Sequence, residues 1–248
     1  MTTGLDAAVD WHTHSDLTDG ADSPDVMADA AAAAGLAGWG LSDHVRADSA
    51  WVDDYVVRVR ALQRRGLQVF CGVEAKILDR AGHLDLPAQV PHLDHVLIAD
   101  HQYPGPDGPV SPATVTSWLA DGRLTAAGAV DTLVDATCAG LRRAPAPAIV
   151  AHLFSLLPKL GLGEGEVTDQ HRSALAAACL ATGSAVEVNE KWVCPSVATV
   201  RRLHEAGVRI VRGSDAHRAT EVGRHTYWDD VVTALAVPVA AATAGVGP

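Results

Sequence analysis

The chain has 248 residues, 48% of them apolar, enough for one sizeable core, and its formal charge of −11 excludes a surface built for nucleic-acid polymers, which relies on Lys and Arg against phosphates. The start, Met1 to Asp6, has no basic segment followed by an apolar core, so no secretory signal is expected and a cytoplasmic location is. Cys71, Cys138, Cys179 and Cys194 form no Cys-x-x-Cys pair and read as buried reduced thiols.

A first strand near 7–13 runs into Asp10-Trp11-His12-Thr13-His14, where a period of two puts both imidazoles on one face. Ser23 as N-cap and Pro24 as first helical residue open an alanine-rich helix that ends at Gly35. The strand 38–43 then leads into Ser42-Asp43-His44. A helix through Trp51, Tyr55, Val59 and Leu62 stops at Gly66 and feeds the strand 68–74, which closes on Gly72-Val73-Glu74. The strand 95–100 delivers His101. After it, 102–112 is rich in residues that continue neither strand nor helix, and reads as a loop beside the site, a candidate lid with Tyr103 toward the pocket. A helix near 125–142 precedes the strand 147–152, which ends at His152. Leu160 to Gly165 is glycine-rich but lacks the Lys-Ser/Thr ending of a phosphate loop. Helices near 169–182 and 196–206, stopped by Gly183 and Gly207, precede strands 184–190 and 208–214, and the last runs into Gly213-Ser214-Asp215-Ala216-His217. The apolar stretch Val231 to Val246 contains Pro238 and is too weakly hydrophobic to span a bilayer. Residues 224–248 are expected as a helical extension that covers the barrel or meets a second copy.

Seven strands alternating with helices imply right-handed crossovers and a parallel sheet, and closure of that sheet would bring the strand ends to one mouth. A lone His-x-His is weak, but His12, His14, Asp19, His44, Glu74, His101, His152, Asp215 and His217 place good metal ligands at or just past nearly every strand end. Six imidazoles favour Zn, Mn or Fe over Mg, which prefers oxygen ligands. His83, His92, His95, His171, His204 and His225 fall away from strand ends and read first as surface or supporting residues.

On the motifs Asp10 to His14 with Asp19-Gly20, Ser42 to His44, Gly72 to Glu74, His101, His152 and Gly213 to His217, the chain resembles the polymerase and histidinol phosphatase (PHP) family over residues 10 to 223. The resemblance implies a single domain over 1–248: a distorted seven-stranded (β/α)7 TIM-like barrel with its active site at the C-terminal strand ends and two to three divalent ions. By it, His12, His14, Glu74 and Asp215 hold one ion. Glu74 bridges to a second held by His101 and His152, and Asp19, His44 and His217 take a third. The implied activity is metal-dependent phosphoric ester hydrolysis by a metal-bridging hydroxide, with Asp215 or His217 passing a proton to the leaving oxygen. A small phosphate monoester is the expected substrate, histidinol phosphate first, although Ser15 to Gly20 departs from the Cys-Pro-His-Gly-like stretch of members devoted to that ester. Lys191, Arg46 and Arg218, each just past a strand end or ligand motif, are candidates to hold the phosphate, and Tyr103 and His225 to meet the substrate. The competing readings are a phosphodiesterase acting on small molecules or nucleotides, an amidohydrolase-like C–N hydrolase, and a non-catalytic metal-binding scaffold.

Overall fold

The computed structural model describes residues 4–90, 92–146 and 148–236. In chain order they form β1 (Leu5–Asp10), α1 (Pro24–Ala33), β2 (Gly38–Leu41), β3 (His44–Val45), α2 (Val52–Ala61), β4 (Gln68–Lys76), β5 (His95–Ala99), β6 (Tyr103–Gly105) and β7 (Gly108–Val110). There follow α3 (Pro112–Ala120), α4 (Ala126–Arg143), β8 (Ala148–Val150), α5 (Asp169–Thr182), β9 (Ala185–Asn189), α6 (Val197–Glu205), β10 (Arg209–Gly213) and α7 (Thr226–Leu235).

The strands β1, β2, β4, β5, β8, β9 and β10 hydrogen-bond in that order, all parallel, and β10 returns to β1, so the ring of seven closes. Helices lie between the strands, and the barrel is TIM-like. Period-two alternation sorts the apolar side chains into two cores. Val9, Trp11, Leu97, Ala99, Ile149, Ala151, Ala185 and Val211 fill the barrel, with Phe70 against them, while a larger cluster packs the strands against the helices. The ring is irregular at one seam: the β1–β10 register shifts between Asp6 and Asp10. β3 continues the line of β2 past Ser42 and Asp43 and pairs His44 with Glu74.

Local chemistry explains the helix starts. Ser23 accepts from the Val26 N–H, with Pro24 in the first turn of α1, and Thr168 with His171 forms a capping box on α5. α2 stops at Ala61 rather than reaching Gly66. Leu62 turns extended and buries its side chain, and Arg64 is drawn to Asp25 and Asp29 of α1. The 102–112 stretch, expected as a loop, contains the β6–β7 hairpin, and Ser111 caps a helix, α3, that the apolar pattern did not announce. Within the expected C-terminal extension, α7 is helical; residues 237–248 lie outside those described. Among the described residues no helix is long and apolar enough to cross a membrane.

Candidate metal centre

Each barrel strand raises its interior face rung by rung toward the carboxyl end. On β4 the interior positions are Phe70, Gly72, Glu74 and Lys76, and on β5 they are His95, Leu97 and Ala99, with His101 next in line. Apart from His95, the lower rungs of these two strands are apolar, and the upper ones carry the donors. Thr13 bridges to Ala216 past the end of β1, keeping His12 and His14 on one face.

Glu74, buried and central, touches five imidazoles. Its Oε1 lies 2.9 Å from His152 Nε2 and 3.0 Å from His101 Nε2. Its Oε2 lies 2.9 Å from His44 Nδ1 and 3.5 Å from both His12 Nε2 and His14 Nε2. Asp215 Oδ1 stands 3.7 Å from His14 Nε2 and 4.0 Å from His12 Nε2. Asp19, on the loop after His14, sets Oδ2 3.3 Å from both His44 Nε2 and His217 Nε2. The tightest groupings are His12–His14–Glu74, His44–Glu74–His101 and His14–Asp19–His44–His217. The structure therefore gathers all nine candidate ligands, but not in the sets the resemblance implies: His14 and His44 each stand in two groupings, and His152 and Asp215 stand outside all three, His152 at 2.9 Å from Glu74 and Asp215 at 3.7 Å from His14.

These donors fit divalent cations. His14 Nδ1 is buried without a hydrogen-bond partner, and the Nε2 atoms of His12 and His14 converge to 2.9 Å. Burial pulls the His12 imidazole down, yet the carboxylates of Glu187, Asp215 and Glu74 outweigh it and hold it well above its usual range, an excess of negative charge that a cation offsets. Burial and the neighbouring His12 press His14 well below its usual range, which leaves it neutral for ligation. Burial would raise Glu74, but His101 and His12 outweigh that and keep it ionised.

Supporting groups, unread in the sequence, orient the donors. Glu187, fully buried on β9, faces His12 Nδ1 at 2.9 Å with Oε1 and accepts from the His152 N–H at 2.7 Å with Oε2. A Cβ at Gly213 would fall 1.7 Å from that same Oε1, so glycine there makes room for the carboxylate. Asp43 accepts from the Ser15 N–H and hydroxyl and from Thr18 Oγ1 at 2.6–2.8 Å, fixing the loop that carries Asp19. Asp100, raised by burial to about 6, lies 3.9 Å from His152 Nδ1. His152 (φ 30°) and Asp215 (φ 53°) hold left-handed backbone, costing about 1–3 kcal/mol each, and their N–H groups are pinned to Glu187 and to the His12 carbonyl. A lone carboxylate inside the apolar run Ala185-Val186-Glu187-Val188 was the available sign of Glu187.

A cavity of about 820 Å³ opens over the centre. Lys191 and Arg46 line it, and Lys191 Nζ comes within 3.4 Å of Asp215 Oδ1 and 3.1 Å of His217 Nδ1. Three expected contacts are corrected. Tyr103 is buried beside Thr132 of α4, because the hairpin folds its first residue inward onto the helix. His225 is buried behind the centre, 3.9 Å from Asp10 Oδ2, because the turn at Gly223 carries the chain away from the mouth. Arg218 is exposed and outside the cavity, since the chain turns there toward Asp22 and Glu221.

The family model described as the PHP domain matches residues 10–181. The chain belongs to the PHP family. No curated protein matches it in sequence. Among solved structures, a histidinol phosphate phosphatase from Lactococcus lactis subsp. lactis Il1403, complexed with zinc, L-histidinol and phosphate, aligns at TM-score 0.65 and 14% identity over 94% of this chain and 95% of its own. A candidate histidinol phosphatase from Listeria monocytogenes aligns at TM-score 0.66 and 14% identity over 87% of this chain and 97% of its own. PHP membership and a gathered donor set make the chain a metal-dependent phosphoric ester hydrolase.

Proposed function

We propose that this PHP protein hydrolyses a small phosphate monoester, such as histidinol phosphate. The observation that carries the reading is Glu74: one buried carboxylate whose two oxygens face separate sets of imidazoles, as a bridge between divalent ions requires. His12, His14 and Asp215 would hold one ion with Glu74. His101 and His152 would hold a second, with Asp19, His44 and His217 for a third. Zn, Mn or Fe suits so nitrogen-rich a set. Such ions, when bound, lower the pKa of water and screen the charge of a phosphate.

The chain's own groups supply the rest. Lys191, beside Asp215 and His217, holds a non-bridging phosphate oxygen. The Asp215–His217 pair, 3.4 Å apart at the cavity wall, provides the proton for the leaving oxygen. Support comes also from the Lactococcus lactis neighbour, whose structure holds zinc, L-histidinol and phosphate. The test is phosphate release from a panel of small esters by protein loaded with Mn or Zn, beside His14→Ala and Asp215→Ala. Turnover that both substitutions abolish is expected. Silence across monoesters, with metal bound, would overturn the reading in favour of diesters or C–N bonds.

A further inference from the structure

Only three of the 19 Lys and Arg residues in the chain are lysines, namely Lys76, Lys159 and Lys191, and all three line the cavity over the metal centre. Everywhere else the chain uses arginine for positive charge. A lysine offers a compact ammonium with three donors on a flexible stem, suited to following an oxygen anion rather than to a fixed planar fork. Apart from the candidate ligands, the charges lining the cavity are these lysines and Arg46 against Asp48 and Asp85, a positive balance in a protein of charge −11.

The three ammoniums stand in two places. Lys159 and Lys191 follow the adjacent strands β8 and β9 and share Trp192, over whose ring Lys159 Nζ sits at 4.1 Å. Lys191 reaches the Asp215 and His217 side of the centre. Lys76 ends β4, three strands from β9 in the ring of seven, which is as far across the mouth as the barrel allows. It lies two residues past Glu74 and so faces the same way, one rung above the bridging carboxylate. Its nearest partners are loose: Gln102 Oε1 at 3.3 Å and Asp85 Oδ2 at 3.9 Å, and the other oxygen of Asp85 accepts from the Ala47 N–H at 2.8 Å. The side chain is 22% exposed, and its ion pair with Asp85 is a long one, which leaves the ammonium free to take a further anionic partner in the cavity.

We propose that the substrate is a phosphate ester bearing a second anionic group, a carboxylate or another phosphate, which Lys76 holds across the centre from Lys159 and Lys191. This rests on the monoester reading above and narrows it. Histidinol phosphate, whose alcohol portion is cationic, becomes the opposing arm of the test.

The experiment uses the Mn- or Zn-loaded protein with glycerol 3-phosphate, 3-phosphoglycerate, glycerol 1,3-bisphosphate and histidinol phosphate. The first three keep one three-carbon skeleton, the second adding a carboxylate and the third a second phosphate instead, so they separate the two sources of negative charge. The expected result is a kcat/KM at least about tenfold higher for one of the doubly anionic esters than for glycerol 3-phosphate or histidinol phosphate. Lys76→Gln should then lower kcat/KM for the preferred ester at least about tenfold more than for glycerol 3-phosphate, and Lys76→Arg, which keeps the charge, should restore most of the difference. Equal efficiency across the series, or a Lys76→Gln loss equal for all esters, overturns the inference and leaves monoester hydrolysis standing.

A binding readout works without turnover. Reductive methylation with ¹³C-formaldehyde keeps lysine charge and labels three side chains, all in this cavity, and Lys→Arg variants assign their resonances. Addition of 3-phosphonopropionate should shift the Lys76 resonance, and propylphosphonate, which lacks the carboxylate, should not. That outcome supports the second-anion site even if no monoester is hydrolysed. Equal shifts from both phosphonates overturn it.

Discussion

Two kinds of buried histidine occupy one barrel. At the mouth, His12, His14 and His152 sit among carboxylates with ring nitrogens aimed at shared points. At the floor, His95 opens β5 just as deeply buried, edge-on to Trp11 at 5.2 Å and against Gly72, with neither ring nitrogen hydrogen-bonded. Burial alone therefore does not make a ligand. Height along the strand does, because the carboxylates that meet ring nitrogens gather on the upper rungs, while the lower ones hold Phe70, Leu97 and Val211. The electrostatic outcomes diverge accordingly: three carboxylates hold His12 well above its usual range, whereas burial drives His95 down to about 4.

The largest effect should come from removing what the mouth has and the floor lacks. Glu74→Ala leaves five imidazoles without their common carboxylate, and metal content and phosphate release should fall together. Loss of several kcal/mol of charge stabilisation predicts a decrease of about a thousandfold or more in kcat. Metal analysis beside steady-state rates checks it, and activity within tenfold of the parent would break the distinction between mouth and floor.

At the floor the expected signature is stability rather than turnover. An unfolded histidine titrates near 6.5, whereas folded His95 resists protonation until about 4. As pH falls from 6.5 toward 4 the unfolded chain takes up a proton that the folded chain refuses, so stability present at neutral pH is lost, by up to about 3 kcal/mol. His95→Leu should flatten that acid limb. Denaturant titrations of chelated parent and variant at pH 7 and pH 4.5 measure the difference, and parallel acid limbs would show that His95 does not titrate with unfolding.

The mouth was legible in the sequence and the floor was not, for a physical reason. A strand that ends at a metal site must abandon its apolar alternation at one known place, which is why His12, Glu74, His152 and Asp215 stood out at the ends of apolar runs. The seven strands followed from the same alternation. Groups that act from inside a strand leave a fainter trace. Glu187 is one charged residue in an apolar run, and His95 reads like any histidine at a strand start. The Ser-Pro pair that marked α1 recurs at Ser111-Pro112, but its helix was hidden by the proline- and glycine-rich hairpin before it. Tyr103, Arg218 and His225 misled because nearness in sequence to a ligand does not fix the direction in which the chain turns next.

Glu187 lies between the two regions, on the rung above Ala185 of the apolar floor and below the ligands, and it offers the finest test of the comparison. It touches His12 Nδ1 and the His152 N–H without joining the groups that could hold an ion. Its carboxylate sets which nitrogen of His12 carries the proton and which faces the centre. Glu187→Gln keeps the shape and removes the charge, so the donors stay gathered while His12 becomes a poorer ligand. Metal affinity should weaken by about 10–100-fold, a smaller loss than at Glu74. Competition for zinc against a chromophoric chelator measures it, with unfolding of the chelated variant followed in parallel to separate ligation from folding. Unchanged affinity would place the functional boundary above Glu187 and make it part of the floor, whereas a loss as large as that of Glu74→Ala would make its charge part of the centre itself.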